Sequence, residues 1–263
     1  MIINNLSKIK ITILGTGTSQ GVPVIGCDCE VCQSIDAKDK RLRVSILISD
    51  GDTNIVVDSG PDFRQQMLRA DVKKLDAIIY THQHNDHIIG LDDVRPFNFQ
   101  NWEDMLLFAT KAVQKDLKER FAYAFATENK YPGAPMLKLQ TISKDKPFQI
   151  KEIKITPIEV MHGKLPVLGF RIKDFVYLTD LNWISEAELK KLEGVKILIL
   201  DALHKKKHHS HFNLSQAMEM AERIGAKKTY FTHMSHRMGL HNKVSKELPE
   251  GIELAYDGLS FSI

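Results

Sequence analysis

Alternating apolar and polar residues recur along the chain and place most of its strands. Residues 8–14 (Lys-Ile-Lys-Ile-Thr-Ile-Leu) alternate and predict a half-buried strand. Residues 43–48 and 54–57 pair as a hairpin around Asp50-Gly51-Asp52, a turn sequence. Ala77-Ile78-Ile79-Tyr80 is apolar throughout, as a short buried strand is, and 106–109 is another such run. Residues 153–160 alternate again and end at Met161-His162-Gly163. Phe170-Arg171-Ile172 and 175–179 read as paired strands, the second ending at Asp180. Residues 195–200 form a buried strand ending at Asp201, 228–232 end at His233, and 252–256 are the last strand. Helical spacing appears in 111–124, where Val113, Leu117, Phe121 and Ala124 share a face. Short helices are predicted at 61–68 and 186–192, and an amphipathic one at 214–224. Gly15-Thr16-Gly17-Thr18-Ser19-Gln20-Gly21 is a tight loop. It lacks the ending of a phosphate loop and the spacing of a dinucleotide fingerprint.

No repeat, low-complexity stretch or linker interrupts this order. One domain over 1–263 is expected, of α/β (α+β) class. Its architecture is two mixed β-sheets packed face to face with helices on both outer faces, an αββα four-layer sandwich. Charged residues at 26% and hydrophobic ones at 43% are ordinary for a globular domain. A formal net charge of +3 is too small to argue for nucleic acid or a membrane surface, so nucleic acid and membrane are not expected as partners. The short run Lys205-Lys206-Lys207-His208 reads as a solvated loop. No stretch is long and apolar enough for a membrane span, and Met1 to Leu6 does not resemble a signal peptide, so a cytoplasmic location is expected.

The chemistry concentrates in two places. Thr81-His82-Gln83-His84-Asn85-Asp86-His87 follows the 77–80 strand. Residues two apart on an extended chain share a face, so His82 and His84 project together, with Asp86 and His87 on the following turn. Four ligand-type side chains so close can hold more than one metal ion, and imidazole suits Zn, Fe and Mn. Asp58, at the end of the 54–57 strand, has two readings: an acceptor that orients a ligand His, or a cap for the 61–68 helix. Cys27, Cys29 and Cys32 are the second place. Three cysteines within six residues make a poor disulfide framework and a good metal cluster. Structural zinc needs a fourth ligand, which could be His236, giving a zinc-binding loop near 26–36. The rival reading is three buried thiols.

The run His82-x-His84-x-Asp86-His87 after a strand resembles the signature of the metallo-β-lactamase fold superfamily. That superfamily's later ligands are a lone His, a bridging Asp and a last His, and His162, Asp180 and His233 follow in that order. The resemblance implies that His82, His84 and His162 hold one ion, that Asp86, His87 and His233 hold a second, and that Asp180 bridges them. It implies the same αββα sandwich and metal-assisted hydrolysis by a shared hydroxide, with two ions of Zn, Mn or Fe beside one structural Zn. Within the superfamily, the cysteine spacing with a trailing His resembles the phosphodiesterase branch of the carbon–phosphorus lyase pathway. That branch opens phosphoribosyl 1,2-cyclic phosphate. The glycine-rich start, Asp58-Ser59-Gly60-Pro61-Asp62-Phe63-Arg64 and Gly90-Leu91-Asp92-Asp93-Val94-Arg95-Pro96-Phe97 fit it as well.

A small phosphodiester is then the expected partner. In phosphodiesterase branches a His before the last long helix approaches the phosphate, and His211 is the best match. It would stabilise phosphoryl charge or protonate the leaving oxygen, forming with Asp86 and Asp180 the expected catalytic set. The rival for His211 is a helix flank, with Asn213 or Ser210 as cap. His204, His208, His209 and His241 receive no role. Three other functions remain: a tRNA 3′-processing endonuclease, a thioester hydrolase and a non-catalytic metal-binding protein. The first lacks here the long basic insertion that would grip tRNA. The last would be expected if a ligand were missing, and none is. The oligomeric state is left open, a homodimer among the options.

Overall fold

Period-two alternation sends the side chains of each strand into two different cores, and this layers the protein. The structure, a computed structural model, describes residues 8–263, so the reading of Met1 to Leu6 lies outside the described residues. The strands are β1 Lys10–Gly15, β2 Ser45–Asp50, β3 Thr53–Val57, β4 Ala77–Ile79, β5 Met105–Ala109, β6 Leu137–Thr141 and β7 Phe148–Ile150. After them come β8 Ile153–His162, β9 Leu165–Ile172, β10 Phe175–Leu178, β11 Trp183–Ile184, β12 Ile197–Asp201, β13 Lys228–Thr232, β14 Ile252–Leu254 and β15 Ser260–Ser262.

One sheet runs β15-β1-β2-β3-β4-β5-β6 and the other β11-β8-β9-β10-β12-β13-β14, with β7 paired to β8. Each main path has an antiparallel half and a parallel half. Pairing is antiparallel as far as β3 in the first and β10 in the second, and parallel beyond. Ile46, Ile48, Ile55, Val57 and Ile79 meet Phe170, Phe175 and Tyr177 between the sheets. Their neighbours Leu47, Val56 and Ile78 face outward beneath Phe63, Val94, Val113 and Leu117. On the far side Val176, Leu178, Leu198 and Leu200 pack under Leu214, Ala217 and Ala221. The layers are therefore α, β, β, α, as the alternation predicts. Cutting one fully buried core side chain such as Ile55 back to Ala would cost ~2–5 kcal/mol.

The helix Leu214–Ile224 is bounded by its own residues. Asn213 and Gln216 make a capping box, and Gly225 takes the left-handed end at φ 71°. Other elements depart from the pattern-based reading. The 111–124 helix breaks at Phe121 into Lys111–Arg120 and Ala122–Phe125. A helix at Arg95–Asn101 and strands β6, β7, β11 and β15 were not predicted. Three of those strands have only two or three residues and exist because β8 or β1 pairs with them. β9 begins at Leu165, earlier than Phe170. Its first half is not paired with β10, which leaves an edge where Pro166 is tolerated. On that edge Leu168 N donates to Thr81 O at 3.1 Å, joining the two sheets where the histidine motif begins.

Candidate metal centre

Side chains gather where strands stop, because a strand end frees the chain to turn while the sheet still fixes its position. His82 lies just past β4, His162 ends β8, Asp180 follows β10, Asp201 ends β12 and His233 follows β13. The turn after His84 starts a short helix, Asn85–Ile88, that carries Asp86 and His87. Asp58, Asp180 and His233 take left-handed backbone, at φ 65°, 56° and 58°. These residue types enter that region more readily than most, though at a cost. Two glycines bring the loops together. A Cβ on Gly60 would lie 2.0 Å from the Asp86 carbonyl oxygen, and one on Gly90 would lie 2.0 Å from the Gly60 carbonyl oxygen.

The centre is built around Asp180, which is buried. Its oxygens lie 3.3 Å from His87 Nε2, 3.4 Å from His233 Nε2 and 4.0 Å from His82 Nε2. Asp86 Oδ2 lies 3.4 Å from His87 Nε2 and 3.7 Å from His233 Nε2. Two ligand atoms on one tetrahedral ion with ~2.0–2.1 Å bonds stand about 3.4 Å apart. The Nε2 atoms of His82, His87 and His233 are buried without any hydrogen-bond partner. Buried nitrogens left unpaired are costly, and neutral imidazoles beside carboxylates suit a divalent cation. The donor set therefore fits metal.

The outer nitrogens explain why the Nε2 atoms are free. His162 Nδ1 lies 2.8 Å from Ser210 O, a carbonyl that can only accept, so Nδ1 carries the proton. Thr81 Oγ1 donates to Asp58 Oδ2 at 2.8 Å and so accepts from His82 Nδ1 at 3.0 Å. His87 Nδ1 donates to Asp58 Oδ2 at 2.7 Å. Each of these rings thus turns a lone pair inward. Asp58 is the orienting acceptor, also taking Thr81 N at 2.9 Å, whereas Asp62 occupies the start of the helix Phe63–Arg69. Were His233 and His87 protonated instead of holding a metal, their charges would keep the Asp180 carboxyl well below the usual carboxylate range against the upward push of burial, and His87 would do the same for Asp86, so both acids are set to be carboxylates.

The structure brings His82, Asp86, His87, Asp180 and His233 into compact triads, with His87 shared between His82–Asp180 and Asp86–His233. His162 groups with Asp180 and His211. His84 is exposed and stands outside these groups, its ring 4.5 Å from that of His82 and 5.2 Å from that of His162. His211 is buried, with its ring 4.4 Å from His162 and 4.8 Å from His233. Its Nδ1 lies 3.1 Å from Asp201 Oδ2, leaving Nε2 free. Burial would depress this imidazole, but Asp201 pushes it up to about 9. Asp201, Thr81 and the Ser210 carbonyl are the site residues that sequence reasoning missed. Asp201 was legible in principle, as a carboxylate closing a buried apolar strand just as Asp180 does.

The second cluster is separate. Cys27, Cys29 and Cys32 Sγ lie 3.2, 3.4 and 3.4 Å from His236 Nδ1. Cys29 is pushed down to about 6 by the Cys32 N–H it accepts, while burial pushes Cys32 up to about 11. Four donors facing one point can close around a single ion.

Comparison with known proteins adds the following. The family model of the β-lactamase superfamily domain matches residues 53–234. An octanoyltransferase of Porphyromonas gingivalis is 40% identical over 253 residues, which are 95% of this chain and 51% of that protein. A coenzyme PQQ synthesis protein B of Methylorubrum populi is 26% identical over 204 residues, 72% of this chain and 61% of that protein. The chain thus spans only 51% and 61% of these curated relatives. A crystal structure of a diphosphatase from the PhnP family is 40% identical, with TM-score 0.91 over 97% of each chain. Human tRNase Z, short form, is 18% identical with TM-score 0.69 over 97% of this chain and 99% of that one, a likeness of fold alone.

Proposed function

The chain belongs to the β-lactamase superfamily domain family, and on that premise we propose that it is a metal-dependent phosphodiesterase acting on a small cyclic phosphodiester. One observation carries the choice of phosphorus chemistry: His211, buried and held by Asp201, stands beside the ligand cluster with its Nε2 free. A ring-opened sugar leaves as an alkoxide, which needs a proton, and a positioned imidazole supplies one.

Two divalent ions of Zn, Mn or Fe, held by His82, His84, Asp86, His87, His162, Asp180 and His233, would neutralise phosphoryl charge and make a water acidic enough to react near neutral pH. A third, structural Zn would sit on Cys27, Cys29, Cys32 and His236. The chain's own part is positional. Asp58 and Thr81 hold the tautomers of His87 and His82, Ser210 holds that of His162, and Asp201 aims His211.

The diphosphatase relative favours a second reading, cleavage of a diphosphate, which uses the same attack at phosphorus but a leaving group that needs less protonation. The octanoyltransferase name belongs to a protein of which this chain covers 51%. We do not carry an acyl-transfer role over, because the three cysteines gather at His236 and not at the histidine centre.

His211→Ala in the metal-loaded enzyme tests the proposal. On ribose 1,2-cyclic phosphate kcat should fall by ~10²–10⁴, the range of a general acid, with both active-site metals retained. On bis(p-nitrophenyl) phosphate, whose leaving group needs little protonation, the loss should be smaller. An unchanged kcat on both substrates would return His211 to a helix flank. Turnover of thioesters or pre-tRNA in preference to the cyclic ester would overturn the substrate class.

A further inference from the structure

Beside the metal centre, at the open edge between the two sheets, lies a cavity of about 420 Å³ that is distinct from both ligand clusters. Leu165, Pro166 and Leu168 of β9 line one wall. Ile142, just past β6, and Ala112, at the start of the helix Lys111–Arg120, line the other. Three ties join this cavity to the proposed metal ligands. Gln83, which also lines it, stands between His82 and His84. Leu165 pairs with His162 across the β8–β9 hairpin. Leu168 N donates to Thr81 O, one residue before His82. A substrate on the metals therefore has one flank over this opening. His211 approaches from another element, the loop after β12, and meets the centre at His162 and His233.

The apolar wall continues beyond the cavity. Residues paired directly across neighbouring strands share a face, as do residues two apart on one strand. Trp183 pairs with Met161 and Met161 with Pro166, and Leu168 lies two along from Pro166. The four side chains make one stripe. It runs from Leu168, in the core between the sheets, to Trp183, which is 56% exposed on the edge strand β11. Glu159 shares this face through its pairing with Leu168, but Lys144 meets its carboxylate at 2.7 Å. An apolar stripe with a paired charge at its rim, opening on a reactive centre, suits the organic part of a substrate.

We infer that this cavity takes an apolar substituent, alkyl or aryl, on the part of the phosphodiester that stays on phosphorus. The inference rests on the phosphodiesterase reading and narrows it. There His211 serves the leaving oxygen, so the flank over the cavity belongs to the other ester oxygen. In a cyclic ester that flank is the carbon skeleton next to the oxygen that is not released. The substrate class is then a phosphodiester that carries an apolar group, and Leu165, Pro166 and Ile142 select for it.

The test measures binding first. Alkylphosphonates from methyl to hexyl are titrated by calorimetry into the metal-loaded protein and two variants. Ala112→Trp fills the cavity from the helix, and Leu165→Gln makes the opposite wall polar. In wild type the dissociation constant should tighten by ~2–4-fold per methylene, the worth of burying one. The heat-capacity change should grow more negative along the series. Both variants should flatten this slope, read from each protein's own value for methylphosphonate. A flat series in wild type would overturn the inference, as would a full slope in whichever variants remain folded. Turnover of p-nitrophenyl alkyl phosphates and of cyclic phosphates separates this inference from the reading beneath it. A chain-length slope that the variants abolish, in a protein that turns over no phosphodiester, would sink that reading and keep the cavity. Opening of cyclic phosphates with a flat phosphonate series would do the reverse.

Discussion

The two ligand clusters are built on opposite plans. The cysteine cluster draws three of its four donors from Cys27 to Cys32, a stretch with one short helix, Glu30–Gln33. The histidine centre draws on the ends of β4, β8, β10 and β13, up to 151 residues apart in sequence (His82 to His233, 233 − 82). The first set presents its four donors to one point. The second holds buried Nε2 atoms with nothing bonded to them, two carboxylates, and His211 at its rim. A closed set of four thiolate and imidazole donors stabilises a fold, while a centre whose donors would hold ions beside a proton source can act on a substrate. The two are only three residues apart at His233 and His236, so one short segment serves both.

Substitutions can break this contrast. The largest effect is expected from Asp180→Asn, since three imidazoles face that carboxylate. Turnover should fall by more than the ~10²–10⁴ that a general acid supplies, and metal analysis should show a pair no longer retained. Wild-type activity in this variant would remove Asp180 from the centre. Asp58→Asn touches no proposed metal ligand atom but frees the His87 ring. Activity or metal affinity should drop ~10–100-fold, the usual effect of losing a ligand's outer partner, and unchanged values would make Asp58 merely structural. The smallest effect on turnover is expected from Cys29→Ser. Its melting temperature should fall, by a stability loss at or beyond the ~3 kcal/mol end of single substitutions, while kcat per folded molecule changes little. A loss of kcat at full stability would place the cysteine cluster in the chemistry.

What the sequence shows and what it hides divide along the same line. His82, His84, Asp86 and His87 are legible because their spacing is local, and the strand before them is visible in the apolar run 77–80. His162, Asp180 and His233 could be picked out through family resemblance and their places at strand ends. Asp201 was passed over because its partners, His211 and His233, are brought to it only by the fold. Ser210 acts through its carbonyl, which every residue carries, so no side-chain pattern could reveal it. Asp58 had two defensible readings until Thr81 and His87 were seen to donate to it. Strands such as β15 and β11 were missed for a related reason: too short to show a period, they depend on a distant partner strand.

The left-handed backbone at Asp58, Asp180 and His233 bears on protein engineering. Each such residue costs of order 1–3 kcal/mol unless its surroundings repay it. Glycine at any of the three would relieve that cost while deleting a functional side chain. Where that relief exceeds the loss of the buried hydrogen bonds these side chains make, a selection for heat resistance alone will enrich inactive sequences at these positions. Thermostabilising libraries of this fold should hold the three residues fixed, or sort every survivor by turnover before any melting curve is compared.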